Sequence, residues 1–244
     1  MIAKTEGIVL HGLKYGDTSL IVRIFTRELG SQSYVVKGVR KAKSRLRQSL
    51  FQPLTLLSME VYHKANSDLQ HIREVGISQI LHHIPGDMVK TSIVVFLAEI
   101  LSKTLRNQEP SGELFDFIRD SVVMLDKTEG RIADFHLVFL IRLSRFLGFE
   151  PRNNFDENHR YFNLREGLFQ HMPGQGEDCM REDLSKDFHA ISQAQLDELE
   201  CLKINPTHRR ELLEQTINYF RHHLDGMQEI RSHSVLAMVL GEKS

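Results

Sequence analysis

The sequence predicts an α+β protein with two parts, a small N-terminal β-barrel followed by an all-helical domain. Over residues 1–80, short apolar runs alternate with polar residues and are separated by turns, which is typical of strands. From about residue 85 the apolar spacing becomes helical, which assigns residues 81–244 to a second domain. The 244-residue chain is long enough for two domains, and its 41% hydrophobic content supports a packed core.

The first domain is predicted to contain five short strands. In SLIVRIFT, Leu20, Val22 and Ile24 lie on one face and the alternating residues, including Phe25, on the other. SYVVKGV follows a glycine turn, so residues 20–37 predict a β-hairpin. TEGIVLHGLKYGD, PLTLLSMEVYHK and LQHIREVGI supply the other strands. Five strands in about 80 residues suit a barrel of the OB-fold type, although the pattern also fits an SH3-like barrel.

Helix boundaries in the second domain are predicted from capping residues. Ser111 is a candidate N-cap, and a helix with an apolar stripe ends near Gly148. Asn205 and Pro206 begin a later helix, and SVLAMVL forms the last one. Residues 153–183 interrupt the helical pattern with a polar, irregular segment that includes a possible hairpin in HRYFNLREGLFQ.

Positive charge is concentrated in one stretch of a chain whose formal net charge is -1. Residues 1–80 carry 12 Lys and Arg against 6 Asp and Glu, whereas the remaining 164 residues carry 19 against 26. Within residues 37–47, six cations occur without an acid: Lys37, Arg40, Lys41, Lys43, Arg45 and Arg47. This asymmetry favours an anionic partner, and a basic loop between barrel strands favours nucleic acid.

These six cations are the candidate DNA-binding residues, together with Lys14 and Tyr15 beside the first turn. Lys and Arg neutralise phosphates without reading sequence, so we expect largely nonspecific binding. Four aromatic residues are candidates for base stacking, of which we expect at least half in the barrel core: Tyr15, Tyr34, Phe51 and Tyr62. The alternative for the basic stretch is a solvated surface loop.

The sequence gives little support for catalysis or metal binding. It contains no H-E-x-x-H, G-x-S-x-G or G-x-x-x-x-G-K-[ST] motif, so we expect no enzyme. His159, His171, Asp178 and Cys179 share the irregular region, but they lack the paired spacing of a zinc site. We therefore expect no metal and no cofactor, and we expect Cys179 and Cys201 to be free thiols.

One helix of the second domain carries candidate partner contacts. Arg142 and Arg145 interrupt an apolar helix beside Phe139 and Phe146. One interpretation is that both arginines flank core packing with their aliphatic stems. The alternative is a groove for an acidic, hydrophobic peptide tail, whose carboxylates would pair with the arginines.

Four motifs follow one another in the first domain. A Y-G-[ED]-x-[SD] turn spans residues 15–19, and F-T-x-x-x-G spans residues 25–30. The motif [VA]-K-G-[AV]-R-K-x-K-S-R covers residues 36–45, and Q-P-[FL]-x-L-L covers residues 52–57. By this combination, and more loosely by FLGFEP and IRSHSVL in the second half, the chain resembles the RecO family of bacterial recombination mediator proteins.

The resemblance implies an OB-fold domain, residues 1–80, and a helical domain, residues 81–244. It implies binding of single- and double-stranded DNA, annealing of complementary strands without ATP, and help in loading RecA. It also implies contacts with RecR and with the acidic C-terminal tail of single-stranded DNA-binding protein. Many members carry two C-x-x-C pairs in the helical domain. Here only Cys179 lies in the corresponding region, about residues 153–183, so we expect a metal-free, degenerate zinc-finger-like insertion.

The expected function is that of a nonenzymatic DNA repair and recombination mediator. Two alternatives stay open: a DNA-binding architectural or regulatory protein without annealing activity, and a metal-dependent hydrolase that uses residues 154–183. No signal-peptide pattern is visible, and the longest apolar run, residues 93–98, is too short to span a membrane. We therefore expect a cytoplasmic, nucleoid-associated protein with no membrane contact.

Overall fold

The computed structural model describes residues 1–39, 48–65, 67–174, 178–227 and 229–241. The chain divides into two compact units, Met1–Asp126 and Lys127–Ser244. The first unit contains a β-barrel and two helices, and the second contains helices and a small two-stranded sheet. The barrel strands end at Gln79, near the predicted boundary at residue 80, while the next two helices belong to the same compact unit as the barrel. The division into domains at residues 80 and 81 stays a prediction.

The strands are β1 (Ile2–Tyr15), β2 (Ser19–Thr26), β3 (Gly30–Val36), β4 (Leu56–Tyr62), β5 (Gln70–Gln79), β6 (Tyr161–Asn163) and β7 (Leu168–Gln170). The α-helices of the described residues are α1 (Met88–Thr104), α2 (Gly112–Lys127), α3 (Phe135–Phe146), α4 (Glu182–Gln193), α5 (Pro206–His223) and α6 (Ser232–Gly241). Short 3₁₀ turns span Gln48–Phe51, Ile84–Gly86 and Leu199–Cys201.

The barrel is closed by β1, which pairs with two neighbours. Its first half pairs with β4 and its second half with β2, both antiparallel. The register shifts between Val9 and His11, so a bulge bends the strand at this point. Strands β3 and β5 meet in parallel and complete the order β1-β2-β3-β5-β4. This closed five-stranded barrel confirms the predicted OB-type domain, and the helices that follow confirm the predicted fold class.

Helix α2 covers part of the outer surface of β2. The three core residues predicted for β2 are buried in the barrel, but Phe25, predicted on the opposite face, is also 0% exposed. Its ring packs on Phe115 of α2, with the ring centroids 6.0 Å apart. Arg27 donates hydrogen bonds from Nη1 and Nη2 to the two carboxylate oxygens of Asp116, at 2.5 and 2.9 Å. Tertiary packing thus turns an outward position of the strand into a core position.

The segment between α1 and α2 packs against the turn between β2 and β3. Gly30 has a φ of +66°, and a Cβ atom there would lie 2.4 Å from the carbonyl oxygen of Gln108. The backbone N–H of Ser31 donates to the same oxygen at 2.9 Å. Glycine is therefore required both by the left-handed backbone conformation and by the close approach of the two segments.

Replacing Gly30 with Ala is expected to lower the free energy of unfolding by more than about 2 kcal/mol, because left-handed strain adds to displacement of the backbone at Gln108. Gly16 is a matched control, since it has a φ of +58° and a Cβ there meets nothing within 4 Å. The free energy of unfolding of G16A should therefore fall only by the cost of the left-handed backbone conformation, about 1 kcal/mol. Urea denaturation of both variants measures the difference, and equal losses would contradict the packing argument.

The predicted helix ends in the second unit are confirmed. After α3, Gly148 adopts a φ of +85°, which suits the residue that follows a helix. At the start of α5, the side chain of Asn205 accepts a hydrogen bond from the backbone N–H of His208 at 2.8 Å. Pro206 occupies the first turn, where its missing N–H costs nothing.

The sequence pattern did not predict α4. This twelve-residue helix buries Leu184, Phe188 and Ile191, which are spaced by four and three residues. It begins inside the segment that was predicted to be irregular, and its side chains contact α3 and α5. A short helix with a three-residue apolar stripe is a weak signal, since most of its stability comes from packing rather than from helix propensity.

Residues 161–170, within the segment predicted to be irregular, form a hairpin packed in an aromatic cluster. Strands β6 and β7 pair antiparallel, which confirms the predicted hairpin. The ring of Phe162 in β6 lies 4.9 Å from Phe169, 4.3 Å from Phe188 and 5.5 Å from Tyr219, measured between centroids. These rings are all buried, so apolar packing forms the core of this segment. Its likeness to a zinc finger stays a prediction.

A buried ion pair lies in the second unit. Arg209 Nε is 2.7 Å from Asp134 Oδ1, and the two side chains are 7% and 0% exposed. His136 is also fully buried. Burial and the nearby Arg209 guanidinium lower the pKa of His136 to about 3, so the imidazole is neutral in the folded protein.

The stability of the second unit is expected to fall as the pH falls from 7 to 5. The ordinary pKa of histidine is about 6.5, so the unfolded chain gains a proton at His136 that the folded chain does not. Between pH 7 and pH 5 this difference removes about 2 kcal/mol from the free energy of unfolding.

Urea denaturation at both pH values measures this loss of stability. In His136→Leu, the part of the pH dependence that comes from His136 should disappear, whatever the substitution does to the stability at pH 7. The matched control is His171→Gln, since His171 is exposed and belongs to the same unit, and it should leave the loss unchanged. The same pH dependence in H136L and in the unmodified chain would show that His136 is not its source.

Candidate nucleic-acid interface

Beyond the bulge, β1 continues with β2 and β3 as a three-stranded outer surface. We call it the β1–β2–β3 face, and its outward side chains are His11, Leu13, Tyr15, Ile21, Arg23, Ser33 and Val35. Leu13 and Tyr15 are 56% and 53% exposed. Proteins bind single-stranded nucleic acid through aromatic side chains, on which bases stack, and through cations, which contact the phosphates. The β1–β2–β3 face has both, because it combines an exposed aromatic ring and exposed apolar side chains with an arginine.

The structure separates the four aromatic stacking candidates into two pairs. Tyr34 and Phe51 are 0% and 5% exposed and belong to the barrel core, where burial raises the pKa of Tyr34. Tyr15 and Tyr62 are exposed. Tyr62 lies opposite His71 of β5, which in turn lies beside β3. The exposed surface therefore continues from the β1–β2–β3 face across β5 to Tyr62.

Of the six cations in the basic stretch, Lys37 lies within the described residues and is exposed. The other five candidates lie outside the described residues: Arg40, Lys41, Lys43, Arg45 and Arg47. Lys14, also predicted, is exposed on β1 one residue before Tyr15. Lys14 and Lys37 stand at the same end of the barrel, because Lys14 pairs with Leu20 and Leu20 pairs with Val36.

Both described ends of the basic stretch are anchored in the barrel core. Val39, the last residue described before position 40, and Phe51, which follows the stretch, are 4% and 5% exposed. The carbonyl oxygen of Phe51 lies 3.9 Å from the position of a Cβ atom on Gly12 of β1. Phe51, which follows the stretch, therefore lies beside the second half of β1, which belongs to the β1–β2–β3 face.

A different part of the barrel surface carries acids. Glu6 of β1, Glu60 of β4 and Glu74 of β5 point outward and, with Glu28, line a cleft of about 580 Å³. We call this surface the acidic face. The cations at this site are paired, since Lys4 Nζ and Arg73 Nη1 each lie 3.3 Å from a carboxylate oxygen of Glu60. An anionic ligand is therefore favoured on the β1–β2–β3 face over the acidic face.

Arg23 is a site residue that sequence reasoning missed. The alternation of β2 had placed it on the outer face, but a single arginine between apolar residues gave no signal of function. The structure places it between His11 and Ser33 across three strands. Arg23 is half-buried, so its guanidinium keeps access to solvent.

The predicted partner residues of α3 fall into two groups. Phe139 is 0% exposed and stacks on Phe135, with the ring centroids 6.5 Å apart, so it is a core residue and not a contact surface. Arg142 donates from Nε and Nη2 to the carbonyl oxygen of Ala194 at 3.1 and 2.6 Å. It also donates to the carbonyl oxygen of Gln193 and thereby satisfies the C-terminus of α4.

The other two residues of that prediction lie at the surface. The Arg145 side chain is 69% exposed, and its Nε lies 4.0 Å from Glu150, so this ion pair is weak. Phe146 is 36% exposed. Arg145 and Phe146 are thus the accessible part of the predicted partner surface.

The residues considered as metal ligands contact different neighbours. His159 Nδ1 lies 2.9 Å from Asp156 Oδ1, and His171 Nδ1 lies 2.9 Å from the carbonyl oxygen of Asn158. Asp178 forms ion pairs with Arg165 and His222. The Sγ atom of Cys179 lies 3.5 Å from Nε2 of Gln170. In the part of the chain that the structure describes, no group of three or more His, Cys, Asp or Glu side chains is arranged to hold a metal ion. Cys179 and Cys201 are free thiols, as predicted.

No helix within the described ranges has both the length and the apolar character needed to cross a membrane.

Comparison with known proteins gives matches over nearly the whole chain. The family model described as "Recombination protein O N terminal" matches residues 1–81, and "Recombination protein O C terminal" matches residues 85–231. The chain is 35% identical over 240 residues to the DNA repair protein RecO of Flavobacterium psychrophilum, covering 98% of this chain and 99% of the relative. It is 33% identical over 239 residues to that of Azobacteroides pseudotrichonymphae, with 98% and 99% covered. To that of Bacteroides fragilis it is 35% identical over 239 residues, with 97% and 98% covered. The chain has an OB-type barrel followed by helices, and the two family models match both parts of it. The chain therefore belongs to the RecO family.

Proposed function

We propose that this chain is a DNA repair and recombination mediator that binds single- and double-stranded DNA. The observation that carries the proposal is the β1–β2–β3 face, where Tyr15 and Leu13 are exposed beside Arg23, with Lys14 and Lys37 at the same end of the barrel. The other five cations of the basic stretch, which lie outside the described residues, are proposed to add to this cationic surface. The name DNA repair protein, carried by the RecO relatives, supports the same role.

The proposed action on DNA is annealing of complementary strands without ATP. A cationic surface that screens two phosphate backbones lowers the repulsion that opposes their encounter. Screening is an equilibrium effect of charge and involves no bond cleavage, so the proposed role is not enzymatic and requires no cofactor. The domains proposed for this work are the OB fold of residues 1–80 and the helical domain of residues 81–244.

The proposed partners are RecR and the acidic C-terminal tail of single-stranded DNA-binding protein. Through these contacts, the protein is proposed to help load RecA at gaps in DNA. Support for a peptide contact comes from Arg145 and Phe146, since an exposed guanidinium beside a partly exposed ring suits a carboxylate next to an apolar side chain. Phe139 is excluded from this surface by its burial, and Arg142 would contribute only from its place at the end of α4. We place the protein in the cytoplasm in association with the nucleoid.

Reversing Arg40, Lys41, Lys43 and Arg45 to Glu together should weaken binding of single-stranded DNA by more than about tenfold. The loss of up to four phosphate contacts should also reduce the log–log salt slope by up to about 3. The same variant should slow annealing of complementary strands coated with single-stranded DNA-binding protein, which a fluorescence assay measures.

A control with the same change in charge is the reversal of Lys127, Lys186, Lys203 and Arg210, which are exposed and belong to the second unit. It should bind and anneal DNA nearly as well as the unmodified chain. Equal losses in the two variants would show a general effect of net charge. DNA binding without any annealing by the unmodified chain would favour an architectural or regulatory protein instead.

Replacing Tyr15 with Ala should lower affinity for single-stranded DNA by about fivefold or more, because base stacking on an aromatic ring contributes roughly 1 to 3 kcal/mol per base. Y15F keeps the ring and should bind like the unmodified chain. Both variants should leave the salt slope unchanged, since no phosphate contact is lost. Fluorescence anisotropy with a labelled oligonucleotide measures both quantities, and equal affinity of Y15A and Y15F would remove Tyr15 from the interface.

A further inference from the structure

Two arginines lie in segments of the first unit that pack against each other beside the β1–β2–β3 face. Arg23 lies on β2, and Arg106 follows the end of α1. The backbone around Arg106 is fixed on both sides, because Leu105 before it is 0% exposed and the carbonyl of Gln108 after it accepts the N–H of Ser31. Ser31 lies two residues before Ser33, the partner of Arg23 in the register of β2 and β3. The loop is thus held beside the strand pair that carries Arg23.

The two guanidinium groups repel each other. Burial and the charge of Arg106 lower the pKa of Arg23, although arginine remains protonated at neutral pH. Arg23 is half-buried, which strengthens the repulsion relative to a pair in open solvent. Bringing two like charges together in this way is unfavourable unless a bound anion offsets the repulsion.

No acid offsets this charge in the part of the chain that the structure describes, where neither arginine has a carboxylate within ion-pair distance. Glu109, three residues after Arg106, pairs with neither. Two other arginines of the first unit provide the contrast: Arg27 pairs with Glu6 and Asp116, and Arg119 pairs with Asp116 and Asp120. The structure therefore neutralises the arginines that pack α2 against the barrel and leaves Arg23 and Arg106 available.

We propose that Arg23 and Arg106 together bind a phosphodiester group of the DNA backbone, so that the DNA interface extends from the barrel to the loop after α1. The inference rests on the proposed function and adds a specific contact to it. A phosphate oxyanion placed between two guanidinium groups accepts hydrogen bonds from both planar forks and converts their repulsion into attraction. The outward row that contains Arg23 also contains His11 and Ser33, and both can donate hydrogen bonds to phosphate oxygens.

The surroundings favour a nucleic-acid backbone over an acidic peptide. Leu13 and Tyr15 continue the same face and are more than half exposed, which provides a surface for bases adjacent to the phosphate. Successive phosphates and bases of one strand would then contact a row of arginine and a row of apolar and aromatic side chains. A carboxylate peptide would use the two arginines but not a flat stacking surface.

The test compares R23A/R106A with the matched double variant K4A/R73A in the full-length chain. Both variants remove two cations from the first unit, but Lys4 and Arg73 are paired with Glu60 on the acidic face. Binding of labelled oligothymidylate is measured by anisotropy from about 50 to about 200 mM NaCl. R23A/R106A should lose at least about tenfold in affinity and reduce the log–log slope by up to about 1.4, while K4A/R73A should match the unmodified chain.

The outcomes separate this inference from the proposed function. An unmodified chain that fails to bind at the lowest salt concentration would overturn the proposed function and this inference together. Binding by the unmodified chain with equal affinity and slope in R23A/R106A would overturn the arginine site alone. A poly-glutamate peptide of similar charge that competes as well as oligothymidylate would overturn the phosphodiester assignment.

Thermal unfolding distinguishes a binding role from a structural one. Removing a repulsive pair should leave the Tm of R23A/R106A at or above that of K4A/R73A. The single variant R106A changes only an exposed loop side chain, so it provides a folded alternative and should show an intermediate loss of affinity. A lowered Tm in R106A together with unchanged DNA affinity would assign Arg106 a structural role and overturn the proposal.

Discussion

Closure of the barrel depends on one strand, β1, which pairs with β4 through its first half and with β2 through its second. A single strand can serve both neighbours only if it bends, and the bulge between Val9 and His11 provides the bend. Val9 and Leu10 are both buried there, which breaks the alternation and re-aims the residues that follow. As a result, Leu13 and Tyr15 reach the outer surface beside β2. The candidate interface is thus a consequence of how the barrel closes.

The packing of α2 on the barrel determines how much of the β1–β2–β3 face remains exposed to solvent. The helix buries Phe25 under Phe115, and the Arg27–Asp116 pair neutralises the cation at its border. Two residues before Phe25 on the same strand, Arg23 remains partly exposed, and the Gly30 contact holds the loop after α1 against the β2–β3 turn. The contacts that stabilise the first unit therefore also determine where the cationic surface ends. The acidic side chains line the separate cleft on β1, β4 and β5.

The barrel and most helices could be predicted because their signals are local. Alternation defines β2, and Asn205 identifies the start of α5 by a side chain that caps its own backbone. Lys14 and Tyr15 are exposed, and their predicted contact with DNA stays a prediction. What sequence reasoning missed depends on contacts between distant segments: the burial of Phe25 by α2, and the packing of the loop that carries Arg106 against the β2–β3 turn. No spacing rule connects residues 23 and 106, because their proximity comes from the packing of the α1–α2 segment on the β2–β3 turn.

The chemistry of the proposed interface also explains how binding can assist annealing. Arginine and lysine contact phosphates, and an aromatic ring contacts the flat face of a base. Neither kind of contact occupies the hydrogen-bonding edge that a base uses to pair with its complement, so a bound strand remains competent to pair. Recognition of base edges would have the opposite effect, since those groups would already be engaged. The acidic face adds a geometric restriction, because repulsion there disfavours wrapping of a strand around the barrel. In the proposed mechanism, both strands would be held on the cationic side, with their pairing edges free to meet.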